Sequence, residues 1–180
     1  VNRFGRHFAF CIKRDRPAAA DKWHLYEVVV PINGAKMWLW QAVDGSGDAL
    51  DILLQPRRNA KAAKRFLRQL IARFGQPRVV ITDKLRSYIK QIRQLAPDAD
   101  HRAHKGINNR IEGPHRPTRK REKLMGRFKS SRQAQRFLAA HDQINTVFRP
   151  RRYQLSAISS RHARTDAFGL WEDYAAEMAA

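Results

Sequence analysis

Three apolar runs of strand period follow one another in this chain with only short turns between them. Residues 23–31 read WHLYEVVVP, rich in β-branched and aromatic side chains. Asn33-Gly34 comes next, a pair suited to the positive φ angles of a two-residue hairpin. Residues 36–43, KMWLWQAV, form a second run, and Asp44-Gly45-Ser46-Gly47 turns the chain again. Residues 49–55, ALDILLQ, make the third. Turns this short pair their strands antiparallel, so the chain must fold around a three-stranded meander.

The period then changes. Asn59 can cap a helix and Gly75 can end it. Between them Ala63, Phe66, Leu67, Leu70, Ile71 and Phe74 share one helical face, with Lys61, Lys64, Arg65 and Arg68 largely opposite. After Pro77, residues 78–82 read RVVIT, a short continuous apolar run of the kind that is buried on both faces of a sheet. Asp83 sits just past its carboxyl end. Residues 85–95 read as a second helix and 100–104 as a short fifth strand. Residues 108–128 are helical in character, interrupted by Gly113-Pro114 and Pro117. Ser130 or Ser131 can cap a further helix with Ala134, Phe137, Leu138, His141, Ile144 and Phe148 inward. The tail from Arg149 is less regular, with Phe168, Leu170, Trp171 and Tyr174 able to form a small docking helix. This order predicts an α/β fold: a mixed sheet, three antiparallel strands then α/β units, with helices on both faces. The expected organisation is a basic lead-in over 1–22, a main domain over 23–150 and a helical tail over 151–180.

Charge says what such a domain meets. The 180 residues include 36 Lys or Arg and 16 Asp or Glu, a net charge of +20. That is far beyond the ~2–8 that solubility asks of a small domain. Arginine outnumbers lysine 25 to 11, and the guanidinium fork suits phosphate. No apolar run approaches the ~18–20 residues that span a bilayer. Val1-Asn2-Arg3-Phe4 lacks a charged-then-apolar leader pattern. The single cysteine, Cys11, can form no internal disulfide. The expectation is a soluble intracellular domain whose first partner to test is nucleic acid. Residues 57–93 hold twelve basic side chains and one acid, Asp83; residues 101–121 hold one acid, Glu112. A lone carboxylate in a basic field has two accounts: an ion pair with a neighbouring arginine, or a divalent metal that bridges protein to phosphate.

The order of elements resembles the ribonuclease H-like fold of DDE transposases and retroviral integrases. The local sequence resembles the bacterial insertion-sequence-six family of transposases. The matching stretches are WHLYEVVV at 23–30, WLWQAVD at 38–44 and LDILLQPRRNAKAAKRF at 50–66. They continue with VITDKLRSY at 80–88, HRAHKGINNRIE at 101–112, HRPTRKRE at 115–122 and RFKSSRQAQRFL at 127–138. The resemblance implies three carboxylates holding two divalent ions, magnesium or manganese, for in-line attack on a phosphodiester. It assigns the second carboxylate to Asp83 and the third to Glu112. It implies DNA as partner, both element ends and target, a homodimer on that DNA, no membrane, and the bacterial cytoplasm at the nucleoid. Lys84, Arg86, Arg110, Arg116, Arg119, Lys120 and Arg121 are the expected phosphate contacts.

Two departures mark this chain. The family's first aspartate stands in a WHLDE pattern, and here WHLYE places Tyr26 in its position. A phenol of pKa ~10 is protonated at neutral pH and is a poor magnesium ligand. Glu27 is adjacent, but strand alternation turns it to the other side of the sheet, away from Asp83. Asp44 and Asp51 accompany the metal-binding aspartate in the family and are not its replacements. A tyrosine-nucleophile recombinase does not fit, since nothing resembles that family's Arg-His-Arg framework. The second departure is the short stretch before the first strand, where relatives carry an end-recognising helix-turn-helix; the chain reads as an N-terminally truncated copy. His101 and His104 lack a second ligand pair for zinc. Trp38 and Trp40 share a strand face and suit core packing better than base stacking. Residues 116–123 could be a solvated helix face or a phosphate-tracking stripe, and their place after Glu112 favours the stripe. Two functions are compatible with this: a DDE recombinase impaired by Tyr26, or a non-catalytic DNA-binding remnant.

Overall fold

A computed structural model describes residues 2–83, 86–103, 128–148 and 155–179. The chain divides into two compact units, one of residues 18–135 and one of residues 1–17 with 136–180.

The first unit is built on the meander. Strands β1 (Lys22–Ile32), β2 (Ala35–Asp44) and β3 (Ala49–Gln55) pair antiparallel in sequence. Asn33 and Gly34 both take positive φ, 52° and 79°, the geometry a two-residue hairpin demands. At the second turn Asp44 Oδ1 accepts from the Ser46 and Asp48 amides at 2.9 and 3.0 Å, and Oδ2 accepts from Ala20 N at 3.2 Å. Asp44 is therefore committed to its turn. Helix α2 (Ala60–Phe74) starts at Asn59, whose side chain accepts from Ala62 N at 3.0 Å, and ends at Gly75 with φ 77°. Strand β4 (Val79–Thr82), helix α3 (Arg86–Leu95) and strand β5 (Asp100–Ala103) complete the α/β part. The sheet order is β3-β2-β1-β4-β5, with β4 parallel to β1 and β5 parallel to β4.

All four residues of β4 are buried, as the unbroken apolar run requires. Trp23, Leu25, Trp40, Leu53, Phe66, Leu67, Leu70, Tyr88 and Ile92 form one core between the sheet and helices α2 and α3. Trp40 lies inside it, and the partly buried Trp38 packs against it. The open edge of β3 is covered in part by Gln135, which accepts from Leu54 N at 2.6 Å and donates to the Ile52 carbonyl at 3.2 Å. Gln135 belongs to helix α4 (Ser131–Phe148). The helical character expected over 108–128 falls outside the described residues up to Phe128, which bridges to Ile32.

The second unit is helical. Helix α1 (Asn2–Asp15) lies within the basic lead-in expected over 1–22. Helix α5 (Ala157–Ala179) runs 23 residues, far longer than the small docking helix expected around Phe168–Tyr174. Phe8, Cys11, Ile12 and Tyr174 form its buried cluster, with Ile144, Val147 and Trp171 against them. Phe8 stacks on Trp171 with ring centroids 3.7 Å apart. Phe168 and Leu170, expected in that docking face, are exposed. Among the described residues no helix is long and apolar enough to cross a membrane.

Candidate active site at the end of the central strands

The two central strands run parallel and their ladder ends at the pair Leu25 and Thr82. One residue further on, β1 continues with Tyr26 and the chain leaves β4 at Asp83. Thr82 fixes this strand end: its hydroxyl donates to the Asp83 carbonyl at 2.8 Å and lies 2.9 Å from His101 Nε2 on β5. With the hydroxyl proton so used, His101 Nε2 is the donor to Thr82. Burial, then the Arg93 charge, lowers the His101 pKa, in keeping with a neutral ring. This accounts for His101 without a metal; His104 lies outside the described residues.

Asp83 itself is about a third exposed, at 35% of its side chain. One oxygen, Oδ2, accepts from Arg58 Nη2 at 2.9 Å. The same nitrogen donates to Glu27 Oε2 at 2.9 Å. Arg58 comes from the loop between β3 and α2, immediately before the Asn59 cap. Its guanidinium also lies over the Trp38 ring at 5.0 Å, and Lys36 Nζ lies 4.7 Å from that ring. One cation therefore joins two carboxylates from β1 and from the end of β4.

Glu27 is the unusual member. Its side chain has no exposure. Burial pushes its carboxyl above the usual range and the Asp83 charge adds to this, while Tyr88 and Arg58 pull it down. Tyr88 is wholly buried; burial and the Glu27 charge push its phenol well above 10. The two groups face each other, Tyr88 Oη directed at the Glu27 carboxylate. Trp40, paired with Glu27 across β1 and β2, packs edge-on to Tyr88 at 5.5 Å. A carboxylate this enclosed depends on Arg58 for its charge balance.

The sequence reading turned Glu27 away from Asp83, and the structure corrects this. The pleat does set Glu27 on the opposite face of β1 from Tyr26. Asp83, however, lies beyond the paired part of β4 and is not held to that strand's pleat, so Arg58 reaches both acids. The ion-pair account of a lone acid in a basic field is thus realised at Asp83. Arg58 was the residue missed. Its signal was present: an Arg57-Arg58 pair directly ahead of a helix cap, in the same basic block as the lone acid Asp83.

Tyr26 is buried at mid-strand and paired with Gln41. Asp51, like Asp44, is committed elsewhere: it accepts from Gln69 Nε2 at 2.9 Å and from Ile52 N at 2.9 Å. Glu112, Lys84, Arg110, Arg116, Arg119, Lys120 and Arg121 lie outside the described residues. Arg86 opens α3, and its side chain is outside them too. Among the described cations of the first basic block, Lys61, Arg65, Arg68, Lys90 and Arg93 are exposed. Of the described positions, Asp83 offers a carboxylate, the ligand type a hard divalent cation takes, and it is already paired with Arg58. Tyr26 offers a neutral phenol, which brings no charge to such an ion. At these two positions the chain supplies one carboxylate, Asp83, and none at position 26.

Comparison with known proteins now bears on this geometry. A family model described as a DDE domain matches residues 20–151. The transposase for insertion sequence-like element IS431mec of Staphylococcus aureus is 33% identical over 149 residues, covering 79% of this chain. The transposase for insertion sequence element IS257 in transposon Tn4003, also from Staphylococcus aureus, matches to the same extent. The chain spans 65% of the length of these curated relatives. Among solved structures, the HTLV-2 integrase catalytic core domain in complex with magnesium superposes with a TM-score of 0.52 at 14% identity, covering 73% of this chain and 88% of that one. The catalytic core domain of BIV integrase gives 0.51 at 15% identity, covering 84% and 97%. The fold is ribonuclease H-like, as the strand order had implied.

Proposed function

Because the chain belongs to the DDE transposases of the insertion-sequence-six family, we propose that it acts in DNA transposition, cleaving and transferring DNA strands, with catalysis impaired by Tyr26. The observation that carries this is the position of Asp83, one residue past the buried strand β4, where Tyr26 is one residue past the last β1 residue paired with that strand. In this reading Asp83 and Glu112 hold a divalent ion, magnesium or manganese. Bound there, such an ion polarises a phosphodiester oxygen and stabilises charge on it. Arg58 positions Asp83 and neutralises Glu27. Tyr26 fills the first-aspartate position without supplying charge, so a second ion has no bridging ligand.

The partner is DNA, both element ends and target, engaged by a homodimer. Lys84, Arg86, Arg110, Arg116, Arg119, Lys120 and Arg121 contact phosphates. The working unit is residues 23–150, with 1–22 leading in and 151–180 as a helical tail; the match over 20–151 supports the first of these bounds and the extent of the working unit alone. A second reading, a DNA-binding remnant without catalysis, is favoured by one observation: Arg58 already neutralises Asp83 while Tyr26 brings no charge.

The test is magnesium-dependent joining of a labelled repeat end, with an end-recognition domain fused ahead of the chain. Losing one transition-state stabilising contact costs roughly 10²–10³ in rate. Tyr26→Asp should therefore join ends at least that much faster than the unmutated fusion. Equal rates would remove Tyr26 from the site. Salt-dependent DNA binding with no joining by either protein would select the remnant.

A further inference from the structure

Helices α1 and α5 belong to one compact unit, and they bring three ligand-type side chains together. His7 and Cys11 are four residues apart on α1 and so share a face. Glu177 comes from the last turn of α5. Cys11 Sγ lies 3.7 Å from Glu177 Oε2, 3.6 Å from His7 Nε2 and 4.0 Å from His7 Nδ1. One ligand atom from each of the three lies within 4.8 Å of the others. A tetrahedral zinc ion has bonds of ~2.3 Å to sulfur and ~2.0–2.2 Å to nitrogen or oxygen, which sets S···N and S···O separations of about 3.6 Å. The sulfur–oxygen and sulfur–Nε2 distances are already there; the sulfur–Nδ1 distance must close by a few tenths of an ångström, and the nitrogen–oxygen separation, within 4.8 Å, must come to about 3.3 Å.

We propose that His7, Cys11 and Glu177 bind one divalent transition-metal ion of the zinc class, tying the first helix to the last.

The surroundings are those of a ligand set. His7 Nε2 donates to the Tyr174 carbonyl at 2.8 Å, which holds the ring; a metal takes either Nδ1, with the sulfur swung toward it, or Nε2 in place of that carbonyl. Arg14 forks onto Glu177, with Nη1 to Oε2 at 2.9 Å and Nη2 to Oε1 at 2.8 Å, and so orients that carboxylate. The ligand types also choose the ion. A thiolate and an imidazole with one carboxylate suit zinc or cobalt and not magnesium, so this site is separate from Asp83 in chemistry. A thiolate, a carboxylate and a neutral imidazole balance a 2+ ion, and solvent at the exposed Glu177 supplies the fourth ligand. Without metal the sulfur is a thiol, since burial and the Glu177 charge push its pKa up. Binding therefore replaces the S–H bond by a metal–sulfur bond and releases one proton to solvent.

The test uses cobalt(II) and zinc(II) on the full chain, followed by absorption spectroscopy. Cys11 is the sole cysteine, so any thiolate-to-cobalt charge-transfer band reports it alone. The expected result is that band, with the strong visible bands of tetrahedral cobalt, saturating at one equivalent and displaced by zinc. Glu177→Gln, at an exposed position, should keep the helical circular dichroism and weaken cobalt binding at least about tenfold. Zinc should raise the Tm of the chain and not that of Glu177→Gln. Absence of the charge-transfer band at saturating cobalt would overturn the proposal. So would an affinity unchanged in Glu177→Gln, whether or not Cys11→Ser folds.

Discussion

Arg58 carries the electrostatics of the strand ends, because a single nitrogen serves a buried carboxylate and one about a third exposed. Removing one partner of a buried ion pair costs ~3–5 kcal/mol, mostly for the charge left behind. Arg58→Ala should lose stability on that scale in urea unfolding, and adding Glu27→Gln should recover part of it. A double variant no more stable than the single would mean that Glu27 does not depend on Arg58. His101 gives a pH dependence of definite sign. Its folded-state pKa is lowered by burial, so the unfolded chain binds more protons below pH ~6.5. Its contribution to stability is complete above that pH and is lost as pH falls toward the folded-state value. The Tm advantage of the unmutated chain over His101→Asn should therefore shrink on acidification from pH 7 to 5. A constant difference would show that the ring does not titrate in this way.

Among the elements, α2 ties the fold to the site. Its cap, Asn59, directly follows Arg58, so the residue that starts the helix also holds the approach of the guanidinium. Asn59→Ala should cost about 1 kcal/mol, and Asn59→Asp or Asn59→Ser much less, measured by thermal or urea unfolding. The ends of this helix and the first hairpin were legible in the sequence because their chemistry is local. Asn59, Gly75 and Asn33-Gly34 each act within a few residues of themselves. The β4 run was legible for a similar reason, since unbroken apolarity implies burial on both faces. Helix α1 was not read, although Phe4, Phe8, Cys11 and Ile12 repeat at helical spacing. Phe8 and Cys11 meet partners such as Trp171, Tyr174 and Glu177, far along the chain, and no neighbouring turn signal announces them. The Arg58 bridge was hidden by the same distance: its partners are 31 and 25 residues away.

At the scale of the whole molecule, a net charge of +20 implies binding dominated by phosphate. Log affinity for DNA should fall with log salt at about −0.9 per phosphate neutralised. Replacing Arg119, Lys120 and Arg121 by Ala should flatten that slope in a fluorescence anisotropy titration, and a salt-independent affinity would exclude the basic blocks as the interface. The charge blocks and the lone acids were visible from the sequence, and so was the departure at position 26. What folding added is the cation that Asp83 meets when no metal competes for it. The central claim is that Asp83 and position 26 face one metal site from which Tyr26 has removed a ligand. Manganese binding, followed by electron paramagnetic resonance, tests it most directly when the unmutated chain is compared with Tyr26→Asp, each also carrying Asp83→Asn. The expected result is weak binding in the unmutated chain, tightened about tenfold or more by the added carboxylate and lost in both Asp83→Asn proteins. An affinity that Tyr26→Asp leaves unchanged, or one that survives Asp83→Asn, would contradict it.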